Sequence, residues 1–224
     1  SPDYLRRVMA PLRDPRVCLV TCFYRGEHGG TLASIFEALG LSGEFHPSAM
    51  TARMLEGVKF AFGSTMATRK ELVEAIGGFP SLAELSDDYE MGKRVAALGH
   101  RVVISPYVVK TVLPADTWRT MLQRQFRWEC CTAASRPKGH AGLIFTHGLP
   151  FVLAALALAP HSSIAWTMAA AWLLLRLAAA GAGGILVLND PVLKKYLLLV
   201  PARDLLSFAL WTISFFYRRT SWRG

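Results

Sequence analysis

The last third of the chain is what most constrains its fold. From Leu143 onward the sequence runs as three hydrophobic stretches, residues 143–159, 163–188 and 196–217, and its last 82 residues hold only 7 Lys/Arg and 2 Asp/Glu. A helix needs about 20 mostly apolar residues to cross the hydrocarbon core of a bilayer. The second and third stretches have that length; the first is marginal. A soluble domain carries about 25% charged residues, against 18% for this whole chain of 224 residues. Residues 143–224 therefore read as a membrane region with two to three spans. Trp166, Tyr196, Tyr217 and Trp222 stand near the ends of the stretches, where aromatic rings anchor at the interface. Arg176 interrupts the second stretch, and Arg203 and Asp204 fall in the third, where isolated charge is costly. Two readings fit that pair: Arg203 and Asp204 pair with each other or lie at a helix end, or they line the route of a lipid headgroup. Lys194-Lys195 and Arg218-Arg219 flank the third stretch on opposite sides, so the positive-inside rule favours neither orientation.

Residues 1–142 have another character, with 18 Lys/Arg against 14 Asp/Glu. Strand-like and helix-like segments alternate, which predicts an α/β layered domain. The apolar run Val17 to Tyr24 predicts a buried strand with Cys18 and Cys22 as core thiols. Leu32, Ile35, Phe36 and Leu39 recur at helical spacing with Gly40 as a stop signal. Phe60 to Ala67 reads as a strand broken by a small-residue turn, Arg69 to Ile76 as a helix ended by Gly77-Gly78, and Arg101 to Ser105 as a further strand. Ser86 suits the N-cap of a helix with Met91, Val95 and Leu98 on one stripe and Gly99 in the left-handed C-terminal position. Asp116 suits the N-cap of a longer helix through about Ala134, on which Arg124 and Arg127 share a face.

The formal net charge of +9 raises the question of nucleic acid. No basic cluster interleaved with aromatics and no zinc-finger spacing supports that partner, and attraction to anionic lipid headgroups explains the excess better. Cys18, Cys22, Cys130 and Cys131 fit neither a disulfide framework nor a C-x-x-C metal site. The six histidines show no metal-ligand spacing, so no metal site is expected within this chain.

One ordered set of motifs carries chemistry: Gly63-Ser64-Thr65, Arg69-Lys70, Gly77-Gly78-Phe79, Asp87-Asp88-Tyr89, Gly99 and Arg124-Gln125-Phe126-Arg127-Trp128. In this order and spacing it resembles the second half of an inverting family 2-like glycosyltransferase of GT-A fold. It is closer still to the ceramide glucosyltransferase family, glycosyltransferase family 21, which includes bacterial enzymes that glycosylate hopanoids. The resemblance covers most of the chain, because that family also places hydrophobic spans directly after its Arg-x-x-Arg-Trp motif. It implies a partial GT-A domain over residues 1–142, with an interfacial helix, followed by transmembrane helices. It also implies an integral protein of the bacterial inner membrane, with its catalytic part cytoplasmic, that transfers a hexose from a UDP-sugar to a lipid hydroxyl.

The resemblance assigns roles residue by residue. Asp88 matches the second acid of the family's acid-Asp-Tyr motif, the general base that takes a proton from the acceptor hydroxyl as its oxygen attacks the anomeric carbon. Its place in a first helical turn favours the ionised form, and Asp87 is the supporting acid. The plainer alternative is that both aspartates cap a surface helix. Arg124 and Arg127 match arginines that hold the leaving diphosphate, and Trp128 offers a flat face to the acceptor or sugar; a basic helix lying on anionic lipid is compatible with the same residues. Gly63, Ser64 and Thr65 match a substrate loop and equally suit a tight turn.

In that family a divalent metal, Mg or Mn, and the nucleotide are held by aspartates upstream, including an Asp-x-Asp-like motif absent from this chain. Ser1 to Leu5 resembles the stretch just after that motif, and Ser221 to Gly224 resembles a family ending broken off early. The expectation is a fragment, inactive alone, that lacks most of the donor site. Two other classes compete with this reading. A processive polysaccharide synthase usually starts the corresponding motif with Gln, and Gln123 stands one residue too early for that. A catalytically inactive membrane module that binds lipid or protein is the second.

Overall fold

A computed structural model of the chain describes residues 3–79 and 86–216. Tyr217, the Arg218-Arg219 pair and Trp222, offered above as interfacial residues, lie outside the described residues. In chain order the elements are α1 (Tyr4–Met9), β1 (Val17–Glu27), α2 (Leu32–Gly40), α3 (His46–Glu56), β2 (Met66–Thr68), α4 (Lys70–Ala75), α5 (Asp87–Ala97), β3 (Arg101–Val112), α6 (Trp118–Ser135), α7 (Pro137–Gly142), α8 (Gly148–Leu158), α9 (Ser163–Ala180), α10 (Pro191–Tyr196) and α11 (Val200–Ser214). Short 3-10 turns and two π-helical segments, Leu41–Phe45 and Gly181–Val187, join some of these helices.

The chain divides into two compact units. The first, Ser1–Arg25 with His46–Thr111, carries a mixed α/β arrangement on a small sheet of order β2-β1-β3. Strands β1 and β2 run antiparallel, with Leu19 opposite Thr68 and Thr21 opposite Met66. Two apolar clusters draw on β1. One holds Cys18 and Leu19 with Leu72, Met91, Val95 and Val102; the other holds Val17, Val20 and Cys22 with Val8 and Leu12. A strand buried on both faces needs an unbroken apolar run in place of alternation, which is why 17–24 reads as it does. Cys18 and Cys22 are free and buried, as expected.

The second unit is Gly26–Phe45 with Val112–Gly224. Helices α2 and α6 belong with the apolar helices because their buried faces pack in this unit. Gly40 does not stop α2. The helix runs through it into the π-helical segment Leu41–Phe45, and an ideal Cβ at Gly40 would sit 2.6 Å from Nη2 of Arg203. Glycine is needed for close approach there and not for termination.

Two helices are long and apolar enough to cross a membrane, Ser163–Val187 of 25 residues and Pro191–Ser214 of 24. At 1.5 Å per residue each reaches roughly 36 Å, more than the hydrocarbon core of about 30 Å. Pro137–Thr146 and Gly148–Leu158 form a pair bent by 46° that makes a third span if counted as one. Arg176, Arg203 and Asp204 in these helices all have polar partners, but Arg203 and Asp204 do not pair with each other, the first of the two arrangements expected above. Arg176 Nε and Nη2 donate to the two carboxylate oxygens of Asp204 at 2.8 and 2.6 Å, and Nη2 also donates to the Gly43 carbonyl at 3.0 Å. Arg203 turns elsewhere: Nη2 donates to Gln125 Oε1 at 2.8 Å and lies 3.4 Å from Glu44 Oε2, and Nη1 donates to Ser207. Adjacent residues on a helix point about 100° apart, so Arg203 and Asp204 meet different neighbours.

Candidate active site

In the first unit the structure brings Asp88 to the Gly63 turn. Phe62 and Thr65 form an isolated antiparallel bridge, closed by the Thr65 amide on the Phe62 carbonyl at 3.2 Å. From β1, the Thr21 hydroxyl pins this turn: it accepts from the Phe62 amide at 2.8 Å and lies within hydrogen-bond range of the Phe62 and Thr65 carbonyls. The Gly63 amide then donates to Asp88 Oδ2 at 2.7 Å. On the other oxygen, Oδ1 accepts from the Ser86 hydroxyl at 2.9 Å and from the Tyr89 amide at 2.8 Å.

Three donors therefore fix the orientation of one carboxylate at the start of α5. Ser86 stands at the N-cap position as expected, but its side chain serves Asp88 and caps no backbone amide. Asp87 is exposed, and its Oδ1 accepts from the Asp88 amide at 3.0 Å. Of the loop residues, Gly63 is exposed; a Cβ there would lie 3.3 Å from Asp88 Oδ2. Ser64 is half-buried with its hydroxyl on the Cys22 carbonyl at 3.3 Å, and Thr65 is buried against the Tyr4 hydroxyl at 2.9 Å. Only the Gly63 amide of this loop touches the candidate base.

Arg124, Arg127 and Trp128 belong to the second unit, on α6. Its N-cap is Thr117, whose hydroxyl accepts from the Thr120 amide at 3.3 Å. Asp116, expected in that role, instead accepts from Arg124 Nη2. Arg124 is held between two carboxylates: Nε donates to Glu37 Oε1 at 2.7 Å, and Nη2 donates to Glu37 Oε2 as well as to Asp116. The hydrogen bond to Glu37, with Asp116 adding to it, raises the Arg124 pKa above the ordinary arginine value against the opposing effect of burial. Glu37 is only 1% exposed. Arg127 and Trp128, three and four residues on, are half-buried.

Several polar residues around α6 escape a motif reading. Gln125 is buried and accepts from Arg203 of α11. Next to Trp128, burial pushes Glu129 up to about 7, with Glu44 adding and Arg203 opposing; its carboxylate lies 3.8 Å from His140 Nδ1. The available signal for Glu37 is a lone carboxylate in a helix apolar on nearly every side, since such a helix is buried and a buried charge demands a partner. Among the described residues no group of three or more His, Cys, Asp or Glu side chains is placed to hold a metal ion.

Against this geometry, a family model described as Glycosyl transferase family 21 matches residues 1–224. No curated protein matches the chain.

Proposed function

Because the chain belongs to glycosyl transferase family 21, we propose that it is the acceptor-side part of a membrane-bound inverting enzyme of GT-A type that moves a hexose from a UDP-sugar to a lipid hydroxyl, such as that of ceramide or a hopanoid. The observation that carries this reading is the carboxylate of Asp88, oriented by the Gly63 amide, the Ser86 hydroxyl and the Tyr89 amide. Asp88 takes the proton of the acceptor hydroxyl while that oxygen bonds to the anomeric carbon. The bond from that carbon to the diphosphate oxygen breaks on the opposite face, and UDP leaves with the electron pair. A base held at fixed orientation contributes about 10²–10⁴-fold to such a step. Arg127 offers a guanidinium to the charge that builds on the diphosphate, and Trp128 offers a ring face to the acceptor. The two apolar helices of 25 and 24 residues keep the enzyme at the bilayer where a lipid acceptor resides.

The test is made on membranes carrying the full-length protein, supplied with labelled UDP-sugars, with the glycolipid identified by mass spectrometry. Asp88→Asn should lower turnover at least about 10²-fold and leave UDP binding near that of the unaltered protein. Near-normal turnover in that variant would sink the assignment of the base, and a polymer in place of a single sugar on lipid would favour a processive synthase.

A further inference from the structure

The two arginines of the Arg-x-x-Arg-Trp motif do different work. We propose that Arg124 is a positioning residue, pinned by Glu37 and Asp116 so that α6 is locked against α2, and that it is not a ligand of the donor diphosphate. This rests on the reading above, in which Arg127 and Trp128 face the substrates.

The seam between α2 and α6 is built at three levels. At the helix starts, the Thr31 hydroxyl, which caps α2 through the Ser34 amide, donates to the Asp116 carbonyl at 3.0 Å. One turn further, Phe36 meets Trp118 edge to face with ring centroids 5.1 Å apart. Above them Arg124 closes on Glu37 and Asp116. Charge decides what such a guanidinium can bind. One cation between two carboxylates leaves a formal excess of one negative charge around it, which repels a diphosphate. Its Nε and Nη2 are already committed to carboxylate oxygens, one of them on a side chain 1% exposed.

A buried carboxylate that loses its cation destabilises the elements it joins, so the triad resists any rearrangement that would free Arg124. Arg127 and Trp128 lie within about 60° of Arg124 around the helix axis, so a slide or twist of α6 displaces both. A misplacement of about 1 Å can cost about 10²-fold in rate.

Hydrogen exchange across residues 118–130, UDP affinity and turnover are to be measured on the detergent-solubilised full-length protein and on R124Q, E37Q, R127Q and the double variant E37Q/R124Q. In R124Q and E37Q alike, exchange of α6 should quicken at least about fivefold and kcat should fall at least about tenfold. UDP affinity should stay within about threefold of the unaltered protein, and the double variant should be no worse than R124Q alone, because both changes break one unit. R127Q should weaken UDP about tenfold or more with α6 exchange unchanged.

A loss of UDP affinity in R124Q equal to that in R127Q overturns the proposal, and so does unchanged exchange in R124Q and E37Q. Normal UDP binding by R127Q counts instead against the functional reading, and exchange still decides the clamp. If R124Q does not accumulate, D116N keeps the Glu37 pair and gives the same discrimination: UDP affinity within about threefold for a clamp, and severalfold tighter binding if Arg124 is a phosphate ligand released from a rival anion.

Discussion

Single residues show where reading by type succeeds and where it fails. Gly99 was expected in the left-handed position that ends a helix, and its φ is +79°; that demand is local, and the residue type reveals it. Gly40 has no such φ. It is glycine because the Arg203 guanidinium, held by Gln125, Ser207 and Glu44, occupies the space of a side chain. Gly40→Ala should therefore destabilise the protein by about 1–3 kcal/mol through overpacking, although alanine is the better helix former. Thermal unfolding in detergent measures this, and a melting temperature equal to or above that of the unaltered protein would refute the packing argument. Asp88 likewise shows as a motif letter in the sequence, whereas the Gly63 amide that holds it, 25 residues away, shows only in the fold.

Among elements, α6, α9 and α11 each carry a paired, largely buried charge. Arg176 and Asp204 join α9 to α11 with side-chain exposures of 17% and 12%. Asp204→Asn leaves the arginine charge without its counterion and should cost about 3–5 kcal/mol, whereas exchanging both residues for Met and Leu together should restore much of the loss. Comparison of the melting temperatures of the three proteins checks it, and equal losses in single and double variants would exclude the pair as a unit. On α6, Glu129 titrates near 7 in the folded protein against an ordinary 4.5, with Glu44, Arg203 and His140 as its charged or titratable neighbours. The folded state thus holds this proton more tightly than the unfolded chain. The neutral form contributes its full stability below about pH 4.5, and that contribution, up to about 3 kcal/mol, is lost as pH rises through about 7. Glu129→Gln should flatten the fall in melting temperature between about pH 5 and 8; an unchanged slope would place the titration elsewhere.

On the scale of the whole molecule, a chain cut after residue 142 should not yield a stable soluble domain. Ile35, Ala38, Leu39 and Leu41 are buried in the unit that also holds the apolar helices, and removing those helices uncovers that surface. Aggregation on size-exclusion chromatography is the expected outcome; a monodisperse, cooperatively folded 1–142 would refute it. By itself the sequence determined the two helices long and apolar enough to cross a membrane, the buried strand β1, most helix positions and the motifs that point to the family, because hydropathy, periodicity and motif spacing are properties of neighbouring residues. Only the tertiary structure decided which acceptor answers which arginine. Arg124 finds Glu37 across 87 residues, Arg203 finds Gln125 across 78 and Arg176 finds Asp204 across 28. A buried charge must be paired, but its position along the chain names no partner, and that choice follows from which helix faces pack together.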